Sequence, residues 1–290
     1  PKYYSIFLPM LYSVIINTTQ KLMKHEYTDE LRLFRMRSRP KILLASTFEE
    51  ATELYRLYKN NLLAVISDVR YPRNGVLDPK AGAKFIKIVQ KKNASMPIIM
   101  QSMEGSNEQT ANELGAYFIA KYSPQLIKSL QDFVIKHCGF GDLVFSTREG
   151  KTITKIRHLN ALNAALESVP IQSIEYHARR DHFSNWLAVR GYFDLADFLK
   201  PVNIEEFEDP EDFRKVLLDA IERQRVLQHF DNIGYFDVDT YDPKITAVRI
   251  GSGSIGGKAR GLAFLTAHKR RFDFSQKYPE IKVGVPQFAV

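Results

Sequence analysis

Three short apolar runs, each closed by a polar residue, constrain the fold of this chain more than any other feature. They read LLAVISD, MPIIMQS and AYFIAK, and they end at Asp68, Ser102 and Lys121. Segments with helical periodicity separate them. Continuous apolar runs that alternate with helices are typical of parallel strands covered on both faces. The N-terminal half of the chain is therefore predicted to form an α/β domain.

The predicted elements of this half follow one another in regular alternation. The predicted strands are Lys41–Ala45, Leu62–Ser67, Pro97–Gln101 and Ala116–Ala120. The predicted helices are Tyr3–Met23, Phe48–Lys59, Asp78–Lys91, Asn107–Leu114 and Pro124–His137, with an arginine-rich segment at Tyr27–Arg39. Gly139 and Gly141 indicate a boundary near residue 140.

Composition narrows the class of protein. A chain of 290 residues predicts roughly two domains. The net charge of +8 comes from scattered residues without a nucleic-acid-binding motif, so we expect no nucleic-acid partner. The apolar start, Tyr3–Ile16, is shorter than the ~20 residues that cross a bilayer, so we expect a buried helix and no membrane partner. The single cysteine, Cys138, fits a reducing cytoplasm.

The second half of the chain is predicted to be mostly helical. A hairpin is expected where Leu143–Phe145 and Thr152–Lys155 flank a turn. Predicted helices follow at Leu159–Glu167, Ile174–Arg190, Tyr192–Leu199 and Pro210–Gln228, the last with Asp209 as its N-cap. A turn-rich linker is expected at Asp231–Lys244.

One helix of this half carries a dense polar and aromatic stretch, Tyr176–Trp186. On a continuous helix His177 and Asp181 would share a face. A metal site would need a third converging ligand that the sequence does not supply. We therefore expect a His–Asp pair packed beside Trp186 at a helix junction.

The polar residues at the strand ends have the chemistry of an acyl-phosphate site. Ligands of an open α/β sheet bind at the carboxyl ends of its strands. There the Asp68 carboxylate would accept a phosphoryl group, the Ser102 hydroxyl would bond a phosphoryl oxygen, and the Lys121 ammonium would offset its charge. In this pattern residues 1–138 resemble the receiver domain of two-component response regulators.

That resemblance implies a flavodoxin-like parallel sheet, Asp68 as the phosphoacceptor, and Ser102 and Lys121 as phosphoryl-binding residues. It also implies Mg²⁺ and a histidine kinase or small phosphodonor as partner. Receivers hold Mg²⁺ with an acidic pair at the end of their first strand, and we expect that strand to lie outside this sequence, which leaves the metal ligands unknown. Receivers also carry proline directly after the lysine, whereas Tyr122 and Ser123 precede Pro124 here.

A glycine-rich turn near the C-terminal end suggests phosphate binding. Residues 250–262 read IGSGSIGGKARGL, and glycine-rich backbone at a helix start exposes N–H groups to phosphate oxygens. The spacing differs from both the P-loop and the dinucleotide fingerprint. Together with the following helix Ala259–Arg271 and the Val-Pro element at Val283–Phe288, the turn resembles the start of the ATP-grasp domain of phosphoenolpyruvate synthases and pyruvate phosphate dikinases.

The two resemblances imply one domain plan. It comprises a receiver-like α/β domain at residues 1–138, a mostly helical α+β connector at residues 139–230, and a linker with the start of an ATP-grasp domain at residues 231–290. The implied nucleotide-binding residues are Gly256, Gly257 and Lys258, with ATP as the ligand of the parent protein.

The function implied is regulatory. The chain would be the N-terminal region of a phosphoenolpyruvate synthase-like phosphotransferase, which acts on pyruvate or phosphoenolpyruvate, and the region itself would contain no catalytic residue. The alternative is a pseudo-receiver without phosphorylation, used for homodimerisation or docking. An acidic pair upstream of Pro1 would favour the first interpretation over the second.

Overall fold

The computed structural model describes residues 2–22, 39–228, 234–236, 238, 247–271, 278, 280, 281, 284–286, 288 and 289. The chain divides into two compact units. One contains residues 2–21, 39–143 and 175–206, and the other contains residues 144–174 and 207–228 with the described residues that follow. Most of the predicted segments Tyr27–Arg39 and Asp231–Lys244 lies outside the described residues.

The part of the chain before residue 140 is a mixed α/β structure. Its strands are β1 (Val65–Asp68), β2 (Tyr71–Arg73), β3 (Val76–Asp78), β4 (Ile98–Ser102) and β5 (Tyr117–Ala120). Its helices are α1 (Lys2–Leu22), α2 (Phe48–Tyr58), α3 (Ala81–Lys92), α4 (Asn107–Glu113) and α5 (Leu126–His137). The predicted strands and helices are present, except for the differences described below.

A three-stranded parallel sheet in the order β1–β4–β5 positions the strand-end residues. Asp68 is in register with Gln101, and Gln101 with Ile119. A buried cluster that includes Phe85 and Ile86 of α3 and Met100 of β4 covers one face of this sheet. Burying such side chains stabilises the fold by roughly 1.5–3 kcal/mol each before entropic costs.

The prediction of a strand at Lys41–Ala45 is wrong. This segment is described, yet it belongs to no strand, and Leu43 and Leu44 are exposed. Backbone N–H and C=O groups of a strand need ladder partners. Among the described residues no strand pairs with this segment, so its apolar composition alone does not make it part of the sheet.

A short hairpin follows β1 where the sequence analysis placed none. Strands β2 and β3 pair in antiparallel fashion around Asn74 and Gly75, both of which have positive φ. Two central residues of this kind are typical of a type I′ turn, and Asn-Gly is its commonest sequence. Because β3 contains Asp78, helix α3 begins at Ala81 and not at Asp78 as predicted.

After residue 140 the structure contains further short elements. The strands are β6 (Leu143–Ser146) and β7 (Thr152–Ile156), which pair as predicted, followed by β8 (Gly234–Tyr235), β9 (Ala247–Arg249) and β10 (Phe288–Ala289). The helices are α6 (Leu159–Ser168), α7 (Ile171–Ala178), α8 (His182–Ala188), α9 (Phe193–Leu199), α10 (Pro210–Gln228) and α11 (Gly257–Arg271). The Glu211 N–H donates to the Asp209 carboxylate at 2.9 Å, which confirms the predicted cap of α10.

The predicted continuous helix Ile174–Arg190 is wrong. The chain breaks between α7 and α8, where Asp181 has a φ of 54°. An aspartate reaches this left-handed region more readily than most residues, and the break ends the helical hydrogen bonding. Helix α5 likewise begins at Leu126, so Pro124 lies in the preceding turn.

No helix among the described residues is both long enough and apolar enough to pass through a lipid bilayer.

Candidate functional site

The structure brings Asp68 and Lys121 together at the carboxyl edge of the parallel sheet. The Lys121 Nζ donates to Asp68 Oδ2 at 2.7 Å and lies 2.6 Å from Oδ1. The Lys121 side chain is only 13% exposed, and the Asp68 side chain is only 16% exposed. This is an ion pair shielded from solvent, in which the ammonium lies against both carboxylate oxygens. Removing either partner of such a pair would leave an uncompensated charge shielded from water, which is strongly destabilising.

Ser102 lies at the same sheet edge, but its hydroxyl has other partners. The backbone C=O of Ser102 accepts a hydrogen bond from the Lys121 N–H at 2.8 Å, which ties the ends of β4 and β5. The Ser102 Oγ accepts from the backbone N–H of Glu104 and from the side-chain amide of Asn107, both at 3.0 Å. The hydroxyl is therefore engaged at the start of α4.

Gln101 is a residue that the sequence analysis did not single out. It is the register partner of Asp68, so the two side chains leave the sheet on the same face. Its side chain is 1% exposed, and neither amide atom has a hydrogen-bond partner among the described residues. A buried amide without partners costs about 1–3 kcal/mol. In the sequence, the signal that could have identified Gln101 was an amide side chain at the end of a buried apolar run.

Two tyrosines of α1, Tyr3 and Tyr4, lie against the ion pair, and the exposed Tyr122 packs against Tyr3. The Lys121 Nζ lies 4.6 Å from the ring centroid of Tyr3 and 5.5 Å from that of Tyr4. The Tyr4 hydroxyl lies within hydrogen-bonding reach of Asp68; burial, and then this contact, raise the pKa of Tyr4. Burial, and then the charge of Asp68, likewise raise the pKa of Tyr3. The ring of Tyr122 meets that of Tyr3 edge to face at 5.2 Å.

Gly82 fixes the backbone beside Asp68. The Gly82 N–H donates to the Val69 carbonyl at 2.9 Å, and a β-carbon at position 82 would lie 2.1 Å from the Asp68 carbonyl oxygen. No real β-carbon approaches a backbone atom that closely, so any other residue would displace the chain next to Asp68.

We expect Gly82→Ala to lower the free energy of unfolding by roughly 1–3 kcal/mol, because the added methyl group overpacks against backbone that cannot rotate away. Urea unfolding followed by far-UV circular dichroism measures the change. Gly105→Ala is the control, since a β-carbon there meets nothing within 4 Å. Equal stability of the two variants would contradict this prediction, because it would show that the backbone at Asp68 moves to accommodate the methyl group at no cost.

The glycine-rich turn connects β9 to helix α11, and β10 then pairs in parallel with β9. Arg249 holds the turn from one side, because its guanidinium donates to the carbonyls of Gly251 and Gly253. Arg260 holds it from the helix by donating to the Ile255 carbonyl at 2.8 Å. The first N–H groups of α11 have no acceptor within the helix, and a helix start of this kind suits an anion.

The predicted nucleotide-binding residues lie together at the end of this turn. Gly256 precedes α11, and Gly257 and Lys258 are its first two residues. All three are exposed. A β-carbon at Gly256 or Gly257 would meet nothing within 4 Å, and neither residue has positive φ. Internal packing therefore does not require glycine at these two positions, whereas a close approach of phosphate oxygens to the backbone would.

The aromatic stretch forms a histidine pair and not the predicted His–Asp pair. Because the helix breaks before α8, Asp181 does not share a helix face with His177. The Nδ1 atoms of His177 and His182 instead lie 2.9 Å apart. At this distance one Nδ1 must donate a hydrogen bond and the other must accept it. The contact therefore tolerates at most one positively charged imidazolium ring. Burial, and then the neighbouring His177, Arg180 and His137, lower the pKa of His182 to about 4.

We expect acid to weaken the fold through this pair. The unfolded chain protonates His182 near the ordinary pKa of about 6.5, whereas the folded chain keeps it neutral down to a pKa of about 4. The unfolded state therefore binds more protons in this window, and stability falls by about 2 kcal/mol between pH 7 and pH 5. Urea unfolding at several pH values measures the slope. His182→Gln is the non-titrating control, and an unchanged slope in this variant would contradict the assignment.

The described residues do not form a metal site. Within them no group of three or more histidine, cysteine, aspartate or glutamate side chains is arranged to hold a metal ion. At Asp68 the Lys121 ammonium already lies against the carboxylate. The residues described at this edge therefore do not fit the Mg²⁺ that the receiver resemblance implies.

Comparison of the chain with models of known protein families, with curated proteins and with solved structures found no match.

Proposed function

We propose that residues 1–138 form a receiver-like regulatory domain in which Asp68 accepts a phosphoryl group. The observation that carries this proposal is the contact between the Lys121 ammonium and the Asp68 carboxylate at the carboxyl edge of a parallel sheet. An ammonium in this position would offset the charge of phosphoryl oxygens on Asp68. In this proposal Ser102 supplies a hydroxyl to the phosphoryl group after its bonds to Glu104 and Asn107 are exchanged.

The proposed reaction is the transfer of a phosphoryl group from an acyl phosphate or a phosphohistidine. With acetyl phosphate, an Asp68 carboxylate oxygen attacks phosphorus, the bond from phosphorus to the acetyl oxygen breaks, and acetate leaves with that electron pair. Lys121 would then move from the carboxylate to the phosphoryl oxygens. A longer form of the protein with two adjacent acids upstream of Pro1 would provide the metal ligands that the described residues lack.

We further propose that this domain regulates a phosphoenolpyruvate synthase-like phosphotransferase. The turn held by Arg249 and Arg260, with Lys258 at the start of α11, supports a contact to ATP phosphates in the parent protein. Phosphorylation of Asp68 would bias the activity of the catalytic part through a local change of charge. The parent protein would interconvert pyruvate and phosphoenolpyruvate in the cytoplasm.

A labelling experiment tests the acceptor. Radiolabelled acetyl phosphate with Mg²⁺ is expected to add one phosphoryl group to a longer form that carries the acidic pair, and to label the present chain slowly. Asp68→Asn is expected to abolish the label, whereas Asp132→Asn, a change at an exposed carboxylate of α5, is expected to retain it. Strong labelling that survives EDTA, or equal labelling of the two variants, would refute the proposal.

A second function has support from one specific observation. The Asp68 side chain is only 16% exposed and is already paired with Lys121, as suits a pseudo-receiver that serves as a dimerisation or docking module. In that case Asp68→Asn would leave the self-association of the protein unchanged and no variant would take up label. Analytical ultracentrifugation beside the labelling experiment distinguishes the two functions.

A further inference from the structure

Side chains from the first turn of α1 lie over the Asp68–Lys121 pair, and a ring from a second segment of the first unit packs against one of them. Tyr3 and Tyr4 come from the first turn of α1, and Tyr122 comes from the loop between β5 and α5. The rings of Tyr3 and Tyr4 also pack against each other at 5.5 Å. These rings lie over the ammonium, and the Tyr4 hydroxyl reaches the carboxylate. Together they leave a phosphoryl donor little of the carboxylate to approach.

The closed arrangement carries unfavourable terms of its own. Tyr122 has a φ of 61°, and the left-handed region costs a bulky residue about 1–2 kcal/mol. The buried Tyr3 hydroxyl has no hydrogen-bond partner among the described residues. Backbone strain of this kind is concentrated at active sites, ligand clamps and switch regions.

We propose that Tyr3, Tyr4 and Tyr122 form an aromatic cover that closes Asp68 to phosphoryl donors and must open before Asp68 reacts. The inference rests on the proposed receiver function and adds a means of regulation to it. Opening moves the first turn of α1 away from Lys121, which breaks the cation–π contacts and exposes the carboxylate. A phosphoryl group on Asp68 then keeps the cover open, because it occupies the space of the rings and draws Lys121 to its own oxygens.

The cover is testable without phosphorylation, by the chemical reactivity of the Asp68 carboxylate. A water-soluble carbodiimide activates exposed carboxylates, and glycine ethyl ester then converts them to amides with release of the urea. Peptide mass spectrometry measures the modification of Asp68, relative to the exposed Glu108 as internal standard. Both possible products are counted, the ester amide and the isopeptide with Lys121.

Tyr122→Gly is the first variant, because glycine adopts the left-handed conformation without strain and removes the ring that holds Tyr3. Tyr4→Ala is the second, because alanine preserves the helix and removes the group that reaches Asp68. A minor open state is typically 0.1–10% populated, so a variant that opens more often can react faster. We expect modification of Asp68 to accelerate on the order of tenfold in each variant. Tyr12→Ala is the matched control: Tyr12 lies on the same helix and contacts Arg39, and Asp68 should react at the wild-type rate.

The outcomes separate this inference from the proposed function. Faster modification of Asp68 in the Tyr122→Gly and Tyr4→Ala variants, with the Tyr12→Ala control unchanged, supports the cover. Wild-type rates in both cover variants overturn it, whether or not Asp68 takes up label from acetyl phosphate. Faster modification without label in any form of the protein supports the cover and refutes the phosphoacceptor. Circular dichroism confirms folding, and Tyr122→Gly decides the matter if Tyr4→Ala does not fold.

Discussion

In the proposed phosphoenolpyruvate synthase-like phosphotransferase, replacing Lys258 by alanine is expected to lower ATP-dependent activity by on the order of ten- to a hundredfold. The substitution removes the proposed charge-assisted contact to a phosphate oxygen, and such a contact is typically ~1.5–3 kcal/mol. Lys258→Arg should restore only part of the activity, because a planar guanidinium does not replace a compact ammonium beside a tight glycine turn. The assay is ATP-dependent phosphoryl transfer to pyruvate, or its reverse.

The glycines of the turn provide a matched set of variants. Gly256→Ala is expected to weaken nucleotide binding without loss of thermal stability, because its β-carbon meets no other atom of the described structure and would meet only the ligand. Gly261→Ala, within α11, should keep full activity and gain a little helix stability. Unchanged kinetics in both Lys258→Ala and Gly256→Ala would mean that the turn is structural and that the ATP-grasp resemblance does not extend to function.

Replacing Arg190 by alanine is expected to lower the free energy of unfolding of the first unit by on the order of 3 kcal/mol, since hydrogen bonds to a buried charged group are the strong ones. Arg190 is 5% exposed and donates to the carbonyls of Gly139 and Gly141 at 2.8 and 2.9 Å. Its guanidinium also stacks 3.9 Å from the Trp186 ring centroid. One side chain thus fastens helix α8 to the turn that follows α5.

Urea unfolding followed by far-UV circular dichroism measures this loss. Arg190→Lys should restore little, because an ammonium cannot serve both carbonyls in the fork geometry of a guanidinium. Arg56→Ala is the control, since Arg56 forms an exposed pair with Glu53 and should change stability by less than about 0.5 kcal/mol. A stability of Arg190→Ala within that margin of wild type would show that water replaces the guanidinium at both carbonyls.

Several features of the candidate site could be read from residue order. The parallel strands were predicted because continuous apolar runs between helices suit only a sheet covered on both faces. The meeting of Asp68 and Lys121 then follows from geometry, because parallel strands end at the same edge. The position of Lys258 at a helix start was predictable in the same way, since glycine and lysine precede a helical period. Each of these inferences depends on local pattern alone.

Other features required knowledge of which segments meet. The strand at Lys41–Ala45 was predicted wrongly because an apolar run becomes a strand only when another strand pairs with it. The histidine pair was missed because a single residue in the left-handed region, Asp181, broke the helix that the periodicity predicted. The Asn-Gly dipeptide at residues 74 and 75 is a hairpin signal. It was overlooked because the segment that follows has helical periodicity.

The sequence by itself determined that this chain has an α/β sheet with Asp68, Ser102 and Lys121 at the ends of its strands, because the periodicity of apolar residues is a property of neighbours along the chain. Only the tertiary structure decided what surrounds those residues. The placement of Tyr3 and Tyr4 over the Asp68–Lys121 pair, with Tyr122 packed against Tyr3, joins segments more than fifty residues apart in the printed sequence. Such contacts depend on how helices pack and loops turn in three dimensions, and local pattern carries no record of them.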